Sequence, residues 1–264
     1  MITIADVVRY LDTTFHPEYQ EDYDNSGFLV GCSHEECLGV LVALDMSEEV
    51  LAEAKALGAN LIITHHPLIF KGIKSITNSD ALGRLLIDLL RSHVAVYAAH
   101  TNLDNLPWGV NGALCEKLGL TNTHILQPSP LNSQPSAEVG AGMVGELPTT
   151  LSIREFLEQV KQITGLPMVR YAGGKEEVRR VAVCGGAGSF LIDDALTAGA
   201  DIYLTADLKY HDFQRATDQM TLADIGHYES EQFAKDIIYR AISKKFSNFA
   251  CRISEKQGSL VSYI

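Results

Sequence analysis

The chain has 264 residues, 46% hydrophobic and 20% charged, with a formal net charge of −12. That length accommodates one large or two small domains, each with a core, and the acidic balance argues against a protein that coats nucleic acid, which needs a cationic surface. No apolar run reaches membrane-spanning length, and no leader opens the chain, so the five cysteines (Cys32, Cys37, Cys115, Cys184 and Cys251) are expected as reduced thiols in a soluble cytoplasmic protein.

Near the N-terminus, Asp24 and Asn25 read as a cap or turn with no assignable chemistry. Cys32, His34 and Cys37 lack a second Cys/His pair nearby and read as loop and packing positions, not as half of a zinc site. Residues 40–64 read as a β-branched strand, a helix, a Gly-Ala pair and a second strand ending in Thr64. Residues 181–205 align with them without a gap and read the same way, ending in Thr205. Gly58 and Gly199 fall where a helix C-terminus wants a left-handed residue.

After Thr64 the pattern predicts a helix over 80–92 and a strand over 94–99. After Thr205 it predicts a helix over 210–218 and a strand over 221–225, with the loop that follows Thr205 trimmed relative to the first half. Each half is therefore a β-α-β-α-β unit, which favours parallel strands joined by helical crossovers. The expected fold is α/β: two duplicated lobes, 1–126 and 127–264, with mostly parallel strands facing each other across a metal site. Residues 127–138 form a Pro-rich connector, and the lobes pack closely enough to count as one domain. A strand is expected over 143–147. A helix follows over 152–164, with Ser152 as N-cap and Glu155 at the capping-box position. The tail, 250–264, reads as one or two strands with a turn at Gly258.

Three clusters follow predicted strands. Thr64-His65-His66-Pro67 ends one apolar run, His100-Thr101-Asn102-Leu103-Asp104 a second, and His227-Tyr228-Glu229-Ser230-Glu231 a third. In open parallel sheets, functional loops gather at the carboxyl ends of strands. The second and third clusters both place a histidine four residues before an acid, at positions the repeat makes equivalent. A lone histidine at a strand end is more often a hydrogen-bonded structural residue than a ligand; three clusters at equivalent edges reverse that preference. Adjacent side chains of an extended segment point apart, so His65 and His66 serve two metal ions more easily than one. On a helix, His227 and Glu231 face one side and can share a centre. Mixed imidazole and carboxylate donors suit zinc, iron or manganese.

Other positions carry weaker signals. Gly185-Gly186-Ala187-Gly188-Ser189 joins a strand to a helix, where backbone N–H groups can hold an anion, and a tight β-α turn explains it equally well. Lys209 and His211 either face an anionic substrate or begin a solvated helix. Trp108, beside Pro107, walls a pocket or packs a loop.

The sequence resembles the GTP cyclohydrolase 1 type 2 family. The likeness lies in Thr64-His65-His66-Pro67-Leu68, His100-Thr101-Asn102-Leu103-Asp104 and Gly226-His227-Tyr228-Glu229-Ser230-Glu231. It extends to Asp24-Asn25-Ser26-Gly27, Val183-Cys184-Gly185-Gly186-Ala187-Gly188 and Thr205-Ala206-Asp207-Leu208-Lys209-Tyr210-His211-Asp212. The resemblance implies two divalent metal ions per subunit, His66 and Asp104 holding one, His65 and His227 the other, and Glu231 bridging both. It places His100 beside the metals as a proton carrier, with direct ligation as the alternative. It also implies a homohexameric ring and hydrolytic opening of the guanine imidazole ring of GTP, with release of formate. A metal-dependent phosphoesterase or nuclease, or a regulatory metal-binding ring without turnover, is the alternative function. Ala206 stands where members of that family often have glycine, which puts the turn before Asp207 in question.

Overall fold

A computed structural model of the chain describes residues 1–129, 139–262 and 264. Most of the predicted connector therefore lies outside the described residues. In chain order the elements begin with α1 (Ile4–Phe15), β1 (Gly27–Val30), β2 (Gly39–Ala43), α2 (Glu48–Ala56), β3 (Leu61–Thr64), α3 (Ala81–Arg91), β4 (Ala95–Ala98) and the one-turn α4 (Thr101–Asp104). There follow α5 (Val110–Lys117), β5 (Thr121–Pro128), β6 (Gly140–Ser152), α6 (Ile153–Thr164), β7 (Arg170–Ala172) and β8 (Glu177–Ala187). The last are α7 (Ile192–Thr197), β9 (Ile202–Ala206), α8 (Tyr210–Phe213), β10 (Thr221–Asp224), α9 (His227–Glu231), α10 (Ala234–Lys245) and β11 (Ala250–Ile253).

The chain forms two compact units, Met1–Leu103 with Ala234–Gly258, and Asp104–Phe233 with Ser259–Ile264. This differs from a division at 126/127, for a reason in the pairing. β5 adds antiparallel to β6 in the second unit's sheet, and α5 packs in that unit's core through Leu114 and Cys115. At the other end, β11 returns to lie parallel to β2. A division of the sequence into consecutive halves cannot represent a chain that leaves a unit and comes back.

The first unit holds a five-stranded sheet in the order β1-β4-β3-β2-β11, with β11, β2, β3 and β4 parallel and β1 antiparallel at the edge. β2, β3 and β4 are buried along their whole length, as expected of parallel strands covered on both faces. Leu41, Ile62 and Val96 face Val50, Leu51, Leu85, Leu86 and Leu89 of α2 and α3. α3 starts where Asp80 caps it, accepting from the Gly83 N–H at 2.8 Å.

The second unit holds a six-stranded sheet, β5-β6-β8-β9-β10-β7, in which β8, β9 and β10 are parallel and β7 is an antiparallel edge. Side chains alternate as the period-2 pleat demands. Val181 and Val183 pack with Phe156, Leu157 and Val160 of α6, while Ala182 and Tyr203 pack with Leu191, Ile192 and Ala195. α6 carries the expected capping box between Ser152 and Glu155.

The duplication is visible in strand register. Val40 lies opposite Leu61 and Leu41 opposite Ile62; the aligned Val181 lies opposite Ile202 and Ala182 opposite Tyr203. Gly58 and Gly199 follow α2 and α7 with φ of 70° and 72°. Two elements depart from expectation: the helix over 210–218 is the single turn α8, and the strand over 143–147 is the thirteen-residue β6; the described tail contains the one strand β11. All five cysteines are free thiols, and burial pushes Cys37, Cys115 and Cys184 up to about 12.

Candidate metal centre

In the first unit, β3 ends at Thr64 and delivers His65 and His66 to the carboxyl edge of the sheet. The turn is fixed by backbone bonds from His65 N–H to the Leu44 carbonyl at 3.1 Å and from His66 N–H to the same oxygen at 2.9 Å. The Thr64 hydroxyl donates to the His66 carbonyl at 2.7 Å. β4, the neighbouring parallel strand, delivers His100. The three imidazoles form a near-equilateral group, with ring centres 5.0 Å (His65–His66), 5.3 Å (His65–His100) and 5.4 Å (His66–His100) apart. Each offers a ring nitrogen within 4.8 Å of the others.

Each of these rings is oriented from its Nδ1. His65 Nδ1 lies 2.7 Å from the carbonyl oxygen of Ala99. His66 Nδ1 lies 2.6 Å from Asp45 Oδ1, and His100 Nδ1 lies 2.7 Å from Asp24 Oδ1. A carbonyl or carboxylate oxygen can only accept, so Nδ1 carries the proton and Nε2 of the neutral ring keeps the lone pair. This is the arrangement that metal-ligating histidines use.

The acceptors are themselves held. Asp45 follows β2, and the side chain of Gln257 bonds the backbone of Leu44 and Asp45. Asp24 has a fully buried side chain and also accepts from Thr101 N–H at 3.0 Å, from the Thr101 hydroxyl and from Asn25 N–H at 2.7 Å. Burial works to raise its pKa, but the hydrogen bond and charge of His100, with the Thr101 and Asn25 donors, outweigh it. The carboxyl is held well below the usual carboxylate range.

The second unit carries its own donors. α9 opens with His227 and closes with Glu231, one turn apart, and His227 Nε2 lies 3.0 Å from Glu231 Oε2. His227 Nδ1 lies 2.7 Å from Asp207 Oδ2, so this ring too presents Nε2. Asp104 and Glu231 bring carboxylate oxygens within 4.8 Å of one another. Glu231 is nearly buried, at 3% exposure, and rests where Gly186 has no side chain: a Cβ there would stand 2.1 Å from Glu231 Oε1.

This explains the glycine turn. The N–H groups of Gly185, Gly186 and Gly188 donate to Asn111 Oδ1 (2.8 Å), Ser230 Oγ (3.0 Å) and Thr205 Oγ1 (2.9 Å). They are committed to side chains of the fold and do not form an anion cradle. Lys209 and His211 are exposed at the start of α8, where the Lys209 N–H is capped by Asp212 at 2.8 Å; this is a solvated helix start. Trp108 is half exposed.

The two His-x-x-x-acid stretches are not in strict register. Ala99 N–H bonds the Thr64 carbonyl at 2.9 Å, and Ile225 N–H bonds the aligned Thr205 carbonyl at 2.8 Å. His100 therefore corresponds to Gly226, and His227 lies one residue further on. Gly226, at φ 75°, fills the extra position and lets α9 begin on the histidine itself.

Asp45, Asp207 and the Ala99 carbonyl carry no assignment in the sequence reading, and Asp24 is singled out there without a role. A usable signal existed for two of them, since Asp45 and Asp207 each follow a strand at the same edge as the histidines. The turn at Ala206 is also resolved. Asp207 itself adopts the left-handed conformation, φ 56°, which Asp tolerates better than most residues. Replacing Asp207 by alanine is expected to weaken zinc binding about 10–100-fold, read by competition with a chromophoric chelator. The metal-free protein should lose about 1 kcal/mol of stability through the left-handed backbone and little more, because this side chain is more than half exposed.

The donor set fits transition-metal ions: imidazoles with fixed tautomers and carboxylates that are nearly buried or paired, with no thiolate among them. Comparisons with known proteins agree on the lineage. Residues 2–258 match the family Duf34/NIF3 (NGG1p interacting factor 3). A "GTP cyclohydrolase 1 type 2 homolog" of Clostridium perfringens is 36% identical over 232 residues, 86% of each chain. One of the same name from Streptomyces coelicolor is 37% identical over 238 residues, 88% of this chain and 82% of the relative. Among solved structures, a Staphylococcus aureus hypothetical protein superposes with a TM-score of 0.90 at 29% identity, covering 100% of this chain and 99% of that one. With strand register, histidine clusters and relatives in agreement, the chain belongs to the Duf34/NIF3 family.

Proposed function

We propose that the protein is a dinuclear-metal hydrolase. In this reading His66 and Asp104 serve one divalent cation, His65 and His227 the other, and Glu231 both. The observation that carries it is the set of oxygen acceptors behind His65, His66, His100 and His227, which turns every Nε2 into a donor. The name shared by the relatives, GTP cyclohydrolase 1 type 2 homolog, makes GTP the first substrate to try.

Two bound cations would lower the pKa of a water toward neutrality and neutralise charge on the substrate. The residues supply the rest. Asp24 fixes the tautomer and plane of His100, so Nε2 of His100 accepts a proton from the attacking water and returns it to the leaving nitrogen. For GTP one water attacks C8 and opens the guanine imidazole ring to a formamide, and a second water cleaves that formamide and releases the carbon as formate. The same reading makes the subunit part of a homohexameric cytoplasmic ring.

Among the described residues no helix is long and apolar enough to cross a membrane. Incubation of zinc-, iron- or manganese-loaded protein with GTP should release formate and a pterin precursor, and His66→Ala should release none. Phosphate in place of formate would make the protein a phosphoesterase. Stoichiometric metal with no loss of any nucleotide or phosphoester would make it a metal-binding ring without turnover.

A further inference from the structure

We infer that Tyr23 and Phe70 form a subsite for a flat aromatic or heteroaromatic ring of a small molecule whose donor group reaches the metals. This rests on the dinuclear-metal reading above.

The two residues come from different parts of the first unit, one just before the Asp24 turn and the other just after the His65-His66 turn. Asn25 Nδ2 donates to the Ile69 carbonyl at 2.5 Å, which ties these two loops together. The Tyr23 and Phe70 ring centres are 6.3 Å apart with planes at 46°. Phe70 is 6.1 Å from the His100 ring, at 78°. Both spacings lie within the 4.5–7 Å range at which aromatic rings interact.

Yet Tyr23 is 62% exposed and Phe70 43% exposed. Single exposed apolar residues are ordinary. Here two aromatics touch each other in solvent, and the next ring in the series belongs to the histidine trio. A rigid ring face costs little conformational entropy to present, because these side chains have few rotatable bonds. A ligand ring laid against Phe70 lies beside His100, so a donor atom on its edge is directed toward His65 and His66. The chemical class follows: a planar ring bearing an oxygen or nitrogen donor, of which a nucleobase is one instance and an aromatic acid or hydroxamate another.

The test uses two ligands that share a metal-binding group and differ in the ring. Benzohydroxamate and acetohydroxamate are titrated calorimetrically into the zinc-loaded full chain. The subsite predicts that benzohydroxamate binds more tightly. Phe70→Ala should weaken it about three- to tenfold while acetohydroxamate changes less than about twofold. Phe70→Leu keeps apolar bulk and guards against loss of folding; it should lose most of the same preference, and Tyr23→Ser a smaller part. An unchanged ratio of the two affinities in Phe70→Ala, or equal weakening of both ligands, overturns the subsite. So does a change in sedimentation with the ratio intact, which would assign the patch to a second copy of the chain. Failure of both hydroxamates to bind is a separate outcome: it removes the metal reading and the subsite with it.

Discussion

Glu231→Gln is expected to reduce bound metal from two ions per chain to one or fewer and to abolish formate release, with the fold intact. Glutamine keeps the shape and the packing of a side chain only 3% exposed but cannot bridge two cations as a carboxylate does. An acceptor standing behind a histidine is worth about 10–100-fold in affinity, and a group that the proposed site shares between both metals should be worth more than that. The folding side of the prediction follows from the surroundings. The glutamine amide can keep the contact with His227 Nε2, which lies 3.0 Å from Glu231 Oε2. Neutralising the carboxylate also relieves its desolvation and the repulsion from Asp104, so the melting temperature of the metal-free chain should not fall by more than a few degrees. Metal content by atomic emission, circular dichroism and the formate assay decide it together. Two ions retained in Glu231→Gln would remove Glu231 from the site.

Gly186→Ala should be almost as damaging, for a reason that a control can isolate. Gly186 has φ 61°, and its missing Cβ leaves the space Glu231 occupies: the added atom would meet Oε1 at 2.1 Å, the carboxyl carbon at 3.0 Å and His227 Cε1 at 3.4 Å. Two effects are mixed in that substitution. A left-handed alanine costs roughly 1–2 kcal/mol, and the collision displaces Glu231. Gly199 has φ 72° with nothing within 4 Å of its Cβ position, so Gly199→Ala carries the backbone effect alone. Gly199→Ala should lose about 1 kcal/mol of stability and keep its metal, whereas Gly186→Ala should lose more than that and its metal as well. Equal metal content in the two variants would show that Glu231 can be accommodated elsewhere and that the glycine serves only the turn.

The histidines were legible because a parallel sheet sends its strand ends to one edge, and His65, His66, His100 and His227 each follow a strand that the apolar runs disclose. The Ser152–Glu155 capping box was legible because it is written within four residues. The acceptors behind the rings were not. Asp45 is 21 residues from His66, Asp207 is 20 from His227, and Asp24 is 76 from His100. Asp24 reaches His100 only because β1 runs antiparallel to β4 with Gly27 opposite Ala98, so the chain before Gly27 lies beside the chain after Ala98. Nothing local in either segment announces that pairing. The unit boundary failed to show for a similar reason. β11 joins β2 from the far end of the chain, and its four residues read equally well as an isolated tail strand.

The four acceptors differ in how they can be lost by mutation. Aspartates 24, 45 and 207 are each one nucleotide change away from asparagine, glycine or alanine, and with each change a histidine loses its carboxylate. The acceptor behind His65 is the carbonyl of residue 99, which every amino acid supplies. At that position only fit matters: the side chain is fully buried, and the N–H is bonded to Thr64, which bars proline. In a drifting lineage the orientation of His66, His100 and His227 is therefore exposed to erosion one codon at a time, whereas that of His65 is inherited with the β-sheet itself.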